Sequence, residues 1–146
     1  MHLQHARGVV LTGNTFWEGY DHDLLVEESS NVIVGPNNFD RNPRYELWQK
    51  EAPKQGIIFR GCEDSSITGL HANAVRGQAA ALIFERCRRM HVSDCTILDP
   101  EKDGILLRDC RDVLVHGNFI RASHAGFRPA VIEGGDGVRV DEPGAK

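Results

Sequence analysis

The sequence contains no long apolar run and no excess of basic residues. Its 146 residues carry 17 lysines and arginines against 21 aspartates and glutamates, which gives a formal charge of −4. A membrane-spanning helix needs roughly 18 or more consecutive apolar residues, and no such run is present. Because basic tracts with interleaved aromatic residues are also missing, we expect neither a membrane span nor a nucleic-acid partner.

Three further absences narrow the class of protein. The segment from Met1 to His5 lacks the basic and apolar parts of a signal peptide. The four cysteines include no CxxC pair, which is atypical of a zinc site. We expect four histidines to lie on different faces of the protein, with no two at the spacing of metal ligands: His71, His91, His116 and His124. We therefore predict no metal centre and no certain cofactor.

The sequence does contain a repeated block of short apolar segments around a small residue. In its clearest copies, Leu82-Ile83-Phe84 precedes Cys87, and Ile105-Leu106-Leu107 precedes Cys110. Six such anchors follow one another at intervals of 23 to 33 residues, namely Ala6, Ser29, Cys62, Cys87, Cys110 and Gly135. The three anchor cysteines are expected to stack inward as small buried thiols. The alternative is a disulfide between neighbouring coils.

Within each block the apolar residues alternate with other residues, which is the period of a strand with one buried face. Apolar residues lie five and three positions before the anchors and three and five after them, with Ser65 as the exception. Three strands per block form one coil, and stacked coils bury a continuous core. The sequence therefore predicts an all-β parallel solenoid of about six coils, each with three short strands.

The repeat extends over nearly the whole chain, so we expect a single domain over residues 1–146. A long loop insertion interrupts it at residues 40–55, and residues 141–146 form a polar tail. The first coil is expected to lack its leading strand before Ala6, which would leave the stack uncapped. We therefore expect the C-terminal segment of a longer chain, extracellular or periplasmic if that chain is secreted.

Two features of the repeat resemble the right-handed parallel β-helix of the pectate-lyase-like family. They are the strand starts Gly56-Ile57-Ile58-Phe59 and Gly104-Ile105-Leu106-Leu107, and the turns Gly13-Asn14, Pro36-Asn37 and Gly117-Asn118. The resemblance implies a right-handed coil, which is also the general preference of parallel crossovers. It further implies a polysaccharide groove along the first sheet, with Ca²⁺ at the site of a lyase.

The outward positions of the first sheet carry charges that alternate in sign. Two residues before successive anchors stand Glu27, Arg60, Glu85, Arg108 and Glu133. Opposite charges on neighbouring strands support strand pairing, so these residues are predicted to form an ion-pair ladder. The functional alternative is a charged groove that binds a polysaccharide. Its balanced charge argues against a polyuronate.

A second outward row, four residues before the anchors, is entirely aliphatic. It consists of Leu25, Ile58, Ile83, Leu106 and Val131. A continuous apolar surface of this kind marks an interaction site when it is exposed. We expect it to be covered by the loop at 40–55, by a further domain, or by a second subunit of a homo-oligomer.

The long loop supplies candidate substrate-binding residues, which are Arg41, Arg44, Tyr45 and Trp48. Arginine can pair with carboxylates, and Tyr and Trp can stack on sugar rings. The alternative is a flap whose apolar residues pack on the sheet.

A second loop supplies the candidate catalytic residues, which are Asp99, Glu101, Lys102 and Asp103. A lyase needs a basic residue, and a hydrolase needs paired carboxylates. The alternative is an Asp/Pro turn that leads into Gly104.

Two functions remain open at this stage. The first is a carbohydrate-active β-helix that binds or processes a polysaccharide as a lyase, hydrolase or epimerase. The second is a non-catalytic structural or protein-interaction module, as in tailspikes or surface scaffolds. We favour a polysaccharide-associated role for the parent protein, with no recognisable catalytic motif inside this segment.

Overall fold

The computed structural model describes residues 1–17, 19, 21–41 and 56–141, and these residues form 17 strands in three parallel sheets. Strands are numbered in chain order. The first sheet contains β1 (His2–Gln4), β4 (Leu24–Glu27), β7 (Ile57–Arg60), β10 (Ala80–Glu85), β13 (Asp103–Arg108) and β16 (Ala130–Glu133). The second contains β2 (Arg7–Leu11), β5 (Ser30–Val34), β8 (Glu63–Thr68), β11 (Arg88–Ser93), β14 (Arg111–His116) and β17 (Arg139–Val140). The third contains β3 (Thr15–Trp17), β6 (Asn38–Asp40), β9 (His71–Asn73), β12 (Thr96–Leu98) and β15 (Phe119–Arg121).

Each coil takes one strand from each sheet, so the predicted all-β solenoid with three strands per coil is confirmed. The described residues contain five complete coils and a sixth with two strands. The expectation that the first coil lacks its leading strand is wrong, because β1 pairs in parallel with β4 and places Leu3 opposite Val26. Met1 and Leu3 stand five and three residues before Ala6, so the repeat pattern extends one strand further than expected.

The predicted register is observed along the stack. Leu82 pairs with Ile105 in the first sheet, and Met90 pairs with Val113 in the second. The inward side chains of successive coils form one continuous core, in which Phe59 and Phe84 stack with their ring centroids 5.1 Å apart. Burial of these apolar rows drives the stacking of coils, since each coil alone buries too little surface.

Four of the six anchor side chains hydrogen-bond to the backbone inside the coil, and the other two anchors, Ala6 and Gly135, have no polar side chain. The Oγ of Ser29 donates to the carbonyl of Glu27 at 2.7 Å, and the Sγ of Cys62 donates to that of Arg60 at 3.5 Å. Ser65, the polar exception in the core, follows the same rule and donates to the carbonyl of Glu63 at 2.7 Å. Its hydroxyl also accepts the backbone N–H of the preceding coil, so its burial leaves no polar atom unsatisfied.

All four cysteines are buried free thiols. Contacts with the thiols of Cys110 and Cys62, together with burial, raise the pKa of Cys87. Burial raises the pKa of the Cys95 thiol to about 11. These two thiols therefore stay protonated at neutral pH and pack as small apolar groups.

Left-handed backbone at two fixed positions turns each coil from the first sheet into the second. Positive φ occurs immediately before every anchor, at His5, Glu28, Gly61, Arg86, Asp109 and Gly134. It recurs two residues after every anchor, at Gly8, Asn31, Asp64, Arg89, Asp112 and Gly137. Most residues pay a steric cost in this region, and glycine does not. The turns are thus set by stacking, which overrides local preference at Glu28, Arg86 and Arg89.

Replacing Arg86 by Gly is expected to stabilise the protein by about 1 kcal/mol. Arg86 has a φ of 51°, and this left-handed backbone is strained in any residue that has a Cβ. Its side chain is exposed, so little packing is lost. The matched control is Arg111→Gly, at an exposed position of β14, where glycine only weakens the strand. Urea unfolding should give shifts of opposite sign for the two variants. Shifts of the same sign would contradict the assignment.

Candidate functional site

The charged side chains on the outer face of the first sheet form one unbroken ladder. Strand pairing places Glu27 opposite Arg60, Arg60 opposite Glu85, and Glu85 opposite Arg108. Arg60 bonds to Glu85 at 2.8 Å and to Glu27 at 3.4 Å. Arg108 bonds to Glu85 at 2.9 Å and to Glu133 at 2.8 Å. The five residues predicted from the sequence are therefore brought together, and we call them the charged ladder.

Hydrogen bonding favours the charged form of three members of the charged ladder, namely Arg60, Arg108 and Glu27. The bond to Glu85 raises the pKa of Arg60 although burial opposes the charge, and the bond to Glu133 raises the pKa of Arg108. At the first coil, His2 bonds to Glu27 at 2.8 Å, and this bond, aided by Arg60, lowers the pKa of Glu27. The ladder therefore presents alternating acceptors and donors along the stack.

The aliphatic row beside the charged ladder is buried within the single chain. Leu25, Ile58, Ile83 and Leu106 are 2–7% exposed, and Val131 is half-buried against them. The cluster also includes Ala80. The repeat pattern did not indicate this residue, because Ala80 comes before the inward-pointing positions of β10 in the sequence. The burial of this row is therefore reached without a second subunit.

A depression of about 300 Å³ lies at the N-terminal end of the charged ladder and is lined by Met1, His2, Asp21, His22 and Leu25. The Nδ1 atom of His22 is buried and has no hydrogen-bond partner among the described residues. Burial lowers the pKa of His22, and the nearby charge of Arg60 lowers it further. The His22 imidazole is therefore neutral at pH 7, and its Nδ1 is enclosed by protein.

The candidate residues of the long loop are only partly within the described residues. Arg41 is half-buried at the end of the described segment, next to Asp40, whose Oδ1 accepts the side-chain amide of Asn73 at 3.2 Å. Arg44, Tyr45 and Trp48 lie outside the described residues. Their proposed roles in substrate binding stay predictions.

The candidate catalytic acids each bond to the loop of a neighbouring coil. Asp99 accepts the backbone N–H of Ser123 at 2.7 Å, and Glu101 accepts that of Gly77 at 2.6 Å. Asp103 receives the guanidinium of Arg128 at 2.6 Å and its backbone N–H at 3.1 Å. The acids thus hold three successive loops together. Their catalytic role stays a prediction.

His124 strengthens the same contact between loops. Its Nε2 lies 2.8 Å from the carbonyl oxygen of Pro100, and its Nδ1 lies 3.2 Å from that of Ala125. These carbonyl oxygens raise the pKa of His124, because both ring nitrogens must carry protons to donate to them. The loop that follows β12 is therefore fastened by the next coil rather than left free.

Replacing Asp103 by Ala is expected to destabilise the protein by about 1 kcal/mol at pH 7, because the bonds to Arg128 are lost. Burial opposes the charge of Asp103, but the bonds from Arg128 outweigh it and lower its pKa. The stabilisation is therefore complete above the unfolded pKa of about 4 and disappears as the pH falls through the lower folded value. The difference between wild type and variant, measured by urea unfolding from pH 7 to pH 2.5, should shrink below about pH 4.

The neighbouring exposed residue Lys102 provides the control for this prediction. The Lys102→Ala variant should match the wild type to within about 0.5 kcal/mol and follow its pH profile. A loss in Lys102→Ala equal to that in Asp103→Ala would argue against the specific bond to Arg128.

The expectation that the four histidines lie on different faces is wrong for two of them. His91 and His116 lie together on the second sheet, with their Nε2 atoms 2.7 Å apart. Among the described residues, no group of three or more His, Cys, Asp or Glu side chains could hold a metal ion. Within the described part of the chain, no helix is long and apolar enough to cross a membrane.

The stacked three-sheet coils and the alternating outer rows define a parallel β-helix. A family model described as the right-handed beta helix region matches residues 3–140, so the chain belongs to that family. The prediction of a right-handed parallel β-helix is thereby confirmed.

Two further proteins are similar to this chain. A probable polygalacturonase of Arabidopsis thaliana is 24% identical over 134 residues, which cover 80% of this chain and 28% of that protein. The chain thus spans just over a quarter of the length of that relative. The crystal structure of a candidate glycosyl hydrolase from Parabacteroides merdae superposes with a TM-score of 0.61 at 12% identity, covering 90% of this chain and 75% of that one. At this identity, the second similarity concerns the fold alone.

Proposed function

We propose that this β-helix binds a carbohydrate polymer along the outer face of its first sheet. The observation that carries the proposal is the charged ladder, which repeats once per coil at a spacing of about 4.8 Å. Sugar hydroxyls both donate and accept hydrogen bonds, so a row of alternating guanidinium and carboxylate groups offers a partner for each. The similarity to a polygalacturonase supports a carbohydrate ligand.

The charge of the ladder favours a neutral polymer over a polyuronate. Its three glutamates outnumber its two arginines, and each arginine is already bonded to glutamates on both sides. A chain of carboxylates laid on this row would meet the negative charge of the glutamates without a free cation to offset it. Neutral hydroxyl groups carry no such penalty.

The depression at His22 gives one end of the proposed groove a polar pocket. The His22 imidazole lines this depression and is neutral, so it can both donate and accept hydrogen bonds with a sugar hydroxyl. Asp21 and His2 line the same depression. We infer that the terminal sugar of a bound polymer occupies this pocket.

A second candidate function is a non-catalytic module that only recognises or displays such a polymer. The bonds made by Asp99, Glu101 and Asp103 favour it, because these acids already hold neighbouring loops. A carboxylate engaged in this way is a poorer general base than a free one. Binding and cleavage must therefore be measured separately.

Affinity electrophoresis against neutral polysaccharides and polygalacturonate tests binding. We expect retardation by at least one neutral polymer and a roughly tenfold weaker affinity in Arg60→Gln, which corresponds to the loss of one charged hydrogen bond. The matched control is Arg88→Gln, which removes an arginine paired with Glu63 on the second sheet. Equal weakening in both variants, or no retardation by any polymer, would contradict the proposed groove.

Cleavage is tested on the same polymers by following reducing ends and unsaturated-product absorbance, with and without Ca²⁺. If the chain is an enzyme, product formation should fall in Lys102→Ala or in Asp103→Asn. Binding without products, from folded protein, would support the non-catalytic module.

A further inference from the structure

His91 and His116 lie side by side on the outer face of the second sheet. They belong to β11 and β14, which are adjacent strands of successive coils. Their rings stack with centroids 4.8 Å apart and planes inclined by 26°, and their Nε2 atoms are 2.7 Å apart. In this arrangement the two Nε2 atoms lie within hydrogen-bonding distance of each other.

The strand register holds this pair in place. His91 is paired with Leu114, and His116 is paired with Ser93, so the two histidines are diagonal neighbours across the same ladder. Their Cα positions are fixed by backbone hydrogen bonds of the central strands, which carry core residues on the opposite face. A site on rigid strands keeps its ligands close to one geometry.

Two imidazole nitrogens at this separation match the bite of a transition-metal ion. Metal–nitrogen bonds of about 2.0–2.1 Å at tetrahedral or square-planar angles place two ligand nitrogens roughly 3 Å apart. A small rotation of the rings provides the remaining few tenths of an ångström. We propose that His91 and His116 form a two-histidine site for Cu²⁺, Ni²⁺ or Zn²⁺.

The chemistry of the ligands sets the selectivity of the site. Imidazole suits these three ions, and Cu²⁺ should bind most tightly of them. Ca²⁺ and Mg²⁺ prefer oxygen ligands and should not bind here. Among the described residues no third His, Cys, Asp or Glu joins the pair, so the remaining positions on the ion are left for water or an external ligand.

Titration of the purified protein with Ni²⁺ and Zn²⁺ by calorimetry, and with Cu²⁺ by electron paramagnetic resonance, tests the site. We expect one bound ion per chain and nitrogen couplings from two imidazoles in the Cu²⁺ spectrum. The variants His91→Asn and His116→Asn should each bind Ni²⁺ at least about tenfold more weakly, because the second imidazole acts at high effective concentration. Ca²⁺ and Mg²⁺ should give no heat at the same concentrations.

The control is His71→Asn, which removes a histidine from the third sheet and should leave Ni²⁺ binding unchanged. Melting temperatures without metal show whether each variant is folded. Because Cu²⁺ also binds a terminal amine with a nearby histidine, the Ni²⁺ and Zn²⁺ affinities decide the outcome. Affinities unchanged in the His91→Asn/His116→Asn double variant, or equally weakened in His71→Asn, would overturn the proposal.

Discussion

A protein carrying both Val113→Asp and Val115→Asp is expected not to fold. Both valines point into the core from β14 and are 1–2% exposed. Each substitution would place a carboxylate among apolar side chains, where no partner compensates the loss of water, at a cost of several kcal/mol. Two such costs approach or exceed the whole stability of a typical domain, which is about 5–15 kcal/mol. Far-UV circular dichroism and size-exclusion chromatography should show an unfolded or aggregated chain.

The residue between the two valines is the matched control. Leu114 is 39% exposed, because it points to the opposite face of the same strand. The Leu114→Asp variant introduces the same carboxylate and should change the free energy of unfolding by no more than about 1 kcal/mol. A folded double variant, or an unfolded Leu114→Asp variant, would show that the register of β14 is wrong.

The register was predictable because a strand has a period of exactly two, so a shift by one residue would turn every apolar side chain outward. The fixed offsets from each anchor residue placed Val113 and Val115 in the core and Arg108 on the outer face from the sequence alone. It also predicted the charged ladder, since residues at the same offset from successive anchors become neighbours when coils stack.

The histidine pair could have been found by the same rule. His91 and His116 lie four and six residues after their anchors, and both offsets are even, so both side chains point outward from the second sheet. The sequence pattern indicates this shared face. The contact itself depends on ring orientations across a diagonal, which periodicity does not define.

The partners of the candidate catalytic acids could not be predicted. Asp99, Glu101 and Asp103 lie at or near loops whose lengths differ from coil to coil, so no fixed offset identifies the atoms beside them. The sequence does contain this cluster of charged residues. Its bonds to Ser123, Gly77 and the Arg128 side chain follow only from how the loops stack.

Gly104→Ala is expected to destabilise the protein by about 3 kcal/mol or more. Gly104 is buried in β13, and an added Cβ would lie 2.5 Å from the carbonyl oxygen of Pro129 and 2.6 Å from the Cγ2 of Ile120. The Pro129 carbonyl accepts the N–H of Ile105 at 3.0 Å, so it cannot retreat without breaking the pairing of two coils. Core substitutions that crowd a side chain against immobile backbone are among the most destabilising.

The control separates this crowding from ordinary backbone strain. Gly126 has a φ of +84° and no atom within 4 Å of an added Cβ, so Gly126→Ala should cost only about 1 kcal/mol through its left-handed backbone. Gly104 does not have a left-handed backbone, so the destabilisation by Gly104→Ala would come only from the close approach of the added Cβ. Thermal unfolding should therefore place Gly104→Ala roughly 10 °C below the wild type and Gly126→Ala within about 4 °C of it. If Gly104→Ala were the milder of the two, the coils would have to separate more easily at Pro129 than their backbone hydrogen bonds indicate.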